Sequence, residues 1–85
     1  MGIESARKFS AEKINAILNE LSNSEKYGTV LRAKGIVDSS DSEWIYFDYI
    51  PGEIDIRRGA PDVTGKICVI GSQLDRNGIK ELFEV

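Results

Sequence analysis

The stretch from Gly28 to Val37, GTVLRAKGIV, limits what this chain can fold into more than any other. It sets Arg32 and Lys34 at alternate positions of an otherwise apolar run, with Ala33 and Gly35 between them. Side chains along a strand alternate between two faces. Leu31, Ala33, Gly35 and Val37 are therefore expected on one face, and Val30, Arg32, Lys34 and Ile36 on the other. The first face is apolar and small at its centre, so a helix can lie close against it. The second carries two cations that cannot be buried without partners. The pattern calls for a sheet with one face in the core and one charged face open.

The rest of the chain supplies the other layers. Ile3 to Lys8 is weakly strand-like. Ser10 is a good N-cap, and Phe9 with Ile14 has the spacing of a hydrophobic staple at the start of a helix that runs to Asn23. Ile14, Ile17, Leu18 and Leu21 form its apolar stripe. Asn23, Ser24 and Gly28 end it. After the Thr29 to Val37 strand, the polar run Asp38 to Ser42 reads as a turn between antiparallel strands. Trp44 to Ile50 is the second strong strand, rich in β-favouring residues. Pro51-Gly52 suits a type II turn, whereas a tight two-residue hairpin prefers a primed turn, so a wider connection is expected here. Glu53 to Arg58 alternates, with Ile54 and Ile56 inward. Gly59 to Gly65 reads as a loop, Lys66 to Ile70 as a short strand, and Asp75 or a near neighbour caps a last helix with apolar Ile79, Leu82 and Phe83. The expected fold is α+β, one domain over residues 1–85, with an antiparallel sheet of four to five strands and two helices packed on one face.

If Leu31, Ala33, Ile45, Phe47, Tyr49, Ile54, Ile56, Ile67 and Val69 face the helices, the open face carries Arg32, Lys34, Trp44, Tyr46, Asp48, Asp55, Arg57 and Cys68. A one-residue slip would exchange the two sets. Trp, Tyr and Arg are the residues most enriched at interface hot spots. Arg32, Lys34, Trp44, Tyr46 and Arg57 are thus the candidate partner interface. The plainer reading of the same residues is a set of cross-strand pairs on an exposed sheet, each worth about 0.2–1 kcal/mol.

Several chemistries lack their residues. The 85 residues include no histidine, the commonest metal ligand and the commonest general base at neutral pH. There is no phosphate-binding loop; Thr64-Gly65-Lys66 is too isolated to cradle a nucleotide. Paired carboxylates, Asp38 with Asp41 or Asp48 with Asp55, match no complete calcium loop and read as solvated acids. Cys68 has no base to activate it and reads as a small, semi-buried apolar residue. No catalytic, cofactor or metal site is assigned. A net charge of −3 speaks against a general nucleic-acid binder. No apolar run approaches the roughly 18 residues a membrane span needs, and Met1 to Ser10 has no secretory apolar core. A single cysteine fits a reducing compartment, and the reading is cytoplasmic.

Taken in order, these segments resemble one known family. V-L-R-A-K-G at Val30 to Gly35 is similar to the R-x-K-G strand in the C-terminal domain of CobW-like P-loop GTPases. The Arg-Lys-Phe-Ser opening of the first helix, the Trp44 to Tyr49 strand, the Gly-Glu-Ile-Asp-Ile partner and the C-V-I-G-S-Q-L-D-R run at Cys68 to Arg76 follow in the family's order. The resemblance spans essentially the whole chain. It implies an accessory, protein-contacting domain of a GTPase concerned with cobalamin synthesis or with delivery of zinc or cobalt. GTP, magnesium and the delivered metal would belong to a preceding domain, not to these residues. The implied partners are that GTPase domain, in the same or another chain, and a metal-receiving client. The Met1-Gly2 start and the end after an apolar helix suit a piece of a larger protein somewhat better than a domain encoded alone. The alternative is a free-standing module binding single-stranded nucleic acid, with Trp44 and Tyr46 stacking on bases and Arg32 and Lys34 meeting phosphates.

Overall fold

The computed structural model describes all residues, Met1–Val85. Its elements are strand β1 (Gly2–Ser5), the two-residue strand β2 (Lys8–Phe9), helix α1 (Ala11–Asn23), a 3-10 turn (Glu25–Tyr27), strands β3 (Thr29–Ser39), β4 (Trp44–Ile50), β5 (Glu53–Gly59) and β6 (Gly65–Ser72), and helix α2 (Arg76–Phe83). Five strands form an antiparallel sheet in the order β1-β6-β3-β4-β5, and β2 adds a sixth, pairing parallel with the far end of β3. This is the α+β architecture the alternation called for, with one strand more than expected. The extra strand comes from Lys8 and Phe9, too short a run to announce itself by periodicity.

Each helix starts on the chemistry its sequence offers. The Ser10 hydroxyl accepts from the Lys13 amide at 3.0 Å, and the Asp75 carboxylate accepts from the Gly78 amide at 3.1 Å. Each cap satisfies an amide that the first helical turn leaves without a partner. Ile14, Ile17, Leu18 and Leu21 on α1 and Ile79 and Phe83 on α2 are buried against Ala33, Val37, Ile45, Phe47, Tyr49, Ile67 and Val69 of the sheet. Burying side chains of this kind is worth about 1.5–3 kcal/mol each. A charged clasp joins the ends of the helical layer. Glu84, in the left-handed conformation after α2, accepts from Arg7 at 2.8 Å and also from Lys13 on α1.

The centre of the core is an aromatic seat. Phe47 on β4 stands directly opposite Gly35 on β3. A Cβ at position 35 would lie 2.6 Å from the Phe47 ring and 2.8 Å from the Lys66 carbonyl oxygen. The ring therefore occupies the space that any larger residue would need. Phe83 stacks on Phe47 with centroids 6.3 Å apart, and Phe9 meets Phe83 edge-on at 6.4 Å. Such pairs add about 0.5–1.5 kcal/mol beyond their burial.

Three expectations are corrected by the pairing of the strands. Simple alternation puts Leu31 inward and Val30 outward, but Val30 is buried and Leu31 is 55% exposed. The cause is a β-bulge: Val30 pairs with Gly71 and Arg32 with Ile70, which leaves Leu31 as the extra residue. Beyond the bulge the alternation resumes as expected, with Ala33 and Val37 in the core. The second correction concerns Pro51-Gly52. Ile50 pairs with Glu53, so the hairpin is tight, and Gly52 takes the positive φ of 87° that its position requires. The turn after β3 also starts later than expected. Ser39 extends the strand, and its buried hydroxyl donates to the Glu43 carbonyl at 2.7 Å. No helix is long and apolar enough to cross a membrane.

Replacing Gly35 with alanine tests the aromatic seat. The gain in strand rigidity, about 0.5–1 kcal/mol, is smaller than the cost of forcing a packed ring and a carbonyl apart, about 1–3 kcal/mol. Urea denaturation of Gly35→Ala should show a lower midpoint; an unchanged or higher midpoint would contradict this packing.

Candidate interaction surface on the open face of the sheet

With both helices on one side, the other face of the sheet stays open, and its register can be read in rows. Ile70 on β6 pairs with Arg32 on β3, and Ile50 on β4 continues that row one step past the Ala33–Tyr49 pair. The next row is Cys68, Lys34, Asp48 and Asp55, and the next Lys66, Ile36, Tyr46 and Arg57. Trp44 faces Gly59 beyond them. All five candidate interface residues, Arg32, Lys34, Trp44, Tyr46 and Arg57, lie on this face and none enters the core.

Asp48 ties the cations together. It accepts from Arg32 at 3.2 Å and from Arg57 at 3.3 Å, while Arg57 also bonds to Asp55. Partial burial by itself would raise the Asp48 carboxyl, but hydrogen bonds from Arg32 and then Arg57, with their charges, hold it below its ordinary value of 3.8. The hydrogen bond from Arg57 to Asp48 acts in the opposite direction on the guanidinium and raises it. The acids that pair in the sequence are all engaged with cations: Asp38 with Lys8 at 3.6 Å, Asp41 with Arg58 at 3.2 Å, and Asp48 and Asp55 with Arg57. No group of three or more potential metal-ligating side chains lies together.

Tyr46 is held down. Its hydroxyl donates to the Ala60 carbonyl at 2.7 Å, and its ring covers Gly59, where an added Cβ would lie 2.6 Å from it. The Arg57 guanidinium sits 6.0 Å from the ring centroid, within reach of a cation–π attraction. Trp44 is half-buried at the rim. Cys68 is half-buried on the open face, next to Lys34.

The most contact-ready group lies elsewhere, around Arg32. Ile50 is 45% and Ile70 51% exposed, both in the row of Arg32, and the bulge turns Leu31 outward next to it. An arginine ringed by apolar side chains has the character of an interface anchor, because closure excludes water from a guanidinium already oriented by Asp48. Sequence reasoning finds Arg32 but misses its ring. Ile70 follows from simple alternation with Cys68, and Ile50 from alternation with Asp48. Leu31 is hidden by a bulge that no residue pattern in this chain announces.

Comparison with known proteins gives one family and one fold. The family model for the cobalamin synthesis protein cobW C-terminal domain matches residues 1–85. No curated protein matches the chain. Among solved structures, the Zn(II)-bound YjiA GTPase from E. coli superposes with a TM-score of 0.80 at 18% identity, over 98% of this chain and 27% of that one. A Zn(II)-bound triple mutant of YjiA gives a TM-score of 0.77, again at 18% identity and with the same coverage. The chain thus spans about a quarter of the length of these neighbours, and at this identity the likeness is one of fold.

The Asp48 node has a measurable signature. A carboxyl with a depressed folded-state value stabilises the fold above its unfolded value and loses that contribution as pH falls through the folded one. The Asp48 carboxyl carbon should therefore titrate below 3.8. In Arg57→Gln the midpoint should rise as one donor and one charge are lost. A carbon-detected NMR titration with the same midpoint in both proteins would contradict the network.

Proposed function

The chain belongs to the family of cobalamin synthesis protein cobW C-terminal domains, and on that premise we propose that it is a non-catalytic accessory domain that works by protein contact. Its open sheet face docks on a CobW-type P-loop GTPase domain, in the same or another chain, or on a client that receives metal. The observation that carries this reading is the exposed ring of Leu31, Ile50 and Ile70 around a tethered Arg32. An apolar cluster around an oriented arginine on an otherwise charged face is what a contact surface requires.

In this reading GTP, magnesium and zinc or cobalt are handled by the GTPase domain, and none is assigned to these residues. The metal-delivery or cobalamin role is supported by the family description and by the Zn(II)-bound state of the YjiA neighbours. Nucleotide state would shift the population of arrangements in which the face is covered by the GTPase domain or is free for a client. The nucleic-acid alternative is less well supported. One face of the Tyr46 ring is closed by Gly59, Asp48 lies directly opposite Lys34, and Asp48 already bonds the Arg32 that would meet a phosphate.

The test is association with the GTPase domain of a YjiA-like protein from the same source, by calorimetry. Arg32→Ala should weaken it by about tenfold or more, the scale of an interface anchor. Arg32→Ala combined with Trp44→Ala should weaken it further, with an unchanged circular dichroism spectrum. Equal affinity in the folded double variant would contradict docking through this face.

A further inference from the structure

A second feature of the open face borders Arg32 but includes none of its apolar neighbours Leu31, Ile50 and Ile70. Between β6, β3 and β4 the surface sinks into a depression of about 340 Å³, a volume within the roughly 300–1,000 Å³ of small-molecule sites. Its opening has a specific cause. Ile36 and Tyr46 are direct cross-strand partners, so the tyrosine ring would ordinarily cover the isoleucine. Here the hydroxyl bond to Ala60 and the seat on Gly59 draw the ring towards β5. Ile36 is left partly uncovered, and its neighbours on β6, Lys66 opposite and Cys68 two residues on, complete an apolar floor and its rim.

The cations around that floor are unequally satisfied. Arg32, Lys34, Arg57 and Lys66 line the depression, against the single carboxylate of Asp48. Asp48 is already shared between Arg32 and Arg57, Asp55 also bonds Arg57, and Asp62 lies 3.7 Å from Lys66. Lys34 forms no ion pair, although it stands at the centre of its row between Asp48 and Cys68. An ammonium left unpaired beside an uncovered apolar floor, in a chain of net charge −3, is a local arrangement that the overall charge does not explain.

We propose that this depression binds a small organic anion, a carboxylate or phosphate monoester on an aromatic or short aliphatic body. The body rests on Ile36 and Cys68, and the anionic head takes its hydrogen bonds from Lys34, the lining cation that no carboxylate engages. The apolar floor selects against inorganic anions, and the cations select against neutral ligands. The site goes beyond docking and does not depend on it: Lys34 lies outside the Leu31, Ile50 and Ile70 ring.

The experiment is a nitrogen–proton correlation titration of the whole chain with benzoate, phenyl phosphate, inorganic phosphate and benzyl alcohol. Benzoate or phenyl phosphate should give saturable shifts concentrated at Gly35, Ile36, Lys66 and Cys68. Inorganic phosphate and benzyl alcohol should bind at least about tenfold more weakly. Lys34→Gln, a change at an exposed position, should weaken the organic anion about tenfold, the worth of one charge-assisted hydrogen bond. Ile36→Thr, which keeps a β-branched residue in the strand, should weaken it as well while leaving the spectrum otherwise dispersed. Shifts scattered over all basic residues, equal binding of inorganic phosphate, or unchanged affinity in Lys34→Gln would each overturn the proposal. The titration contains no GTPase domain, so the effect of Lys34→Gln on anion binding is read separately from association with one.

Discussion

The fit of the Phe47 ring over Gly35 is the constraint on which the rest of this small structure depends. It fixes the register of β3 against β4, since only a glycine opposite the ring leaves room for it. It also sets the depth at which α2 lies, because Phe83 rests on the same ring and Phe9 rests on Phe83. A domain of this size buries only about 60% of the surface its unfolded chain exposes. It has little apolar material for a second layer, so both helices gather on the side where the aromatic seat lies. The other side of the sheet is left to charged pairs and to a few exposed apolar residues.

That open face divides into two parts by how its charges are satisfied. At the Ile70–Arg32–Ile50 end, the guanidinium is tethered and the apolar neighbours are bare, an arrangement suited to covering by another protein. In the middle, Tyr46 is pulled away from Ile36 by the Ala60 carbonyl, and Lys34 is left unpaired beside the gap. Surface ion pairs of this kind add little stability, about 0–1 kcal/mol each. Their consequence is geometric: Asp48 holds Arg32 and Arg57 in place and leaves Lys34 without a carboxylate of its own.

Much of this is legible in the sequence, and the reasons differ by element. Alternation in Trp44–Ile50 and Glu53–Gly59 puts the apolar and charged side chains on their observed faces, because neither strand is interrupted. Ser10 and Asp75 mark the helix starts through capping chemistry that acts over three residues. The candidate interface residues Arg32, Lys34, Trp44, Tyr46 and Arg57 all lie on one face, as expected. What escapes is non-local. The bulge at Leu31 arises from the pairing of β3 with β6, far along the chain, and strand β2 exists only because the far end of β3 is there to receive it. The retraction of Tyr46 depends on a carbonyl in the loop after β5. None of these has a pattern within a window of a few residues.

The most direct test of the account is where a partner touches. Methyl-labelled isoleucine and leucine signals can be followed as the GTPase domain of a YjiA-like protein is added to this chain. Docking through the open face requires the Leu31, Ile50 and Ile70 methyls to shift or broaden first, with Ile14, Ile17 and Leu18 beneath α1 unaffected. Perturbation confined to the helical side, with Leu31, Ile50 and Ile70 unchanged, would contradict it.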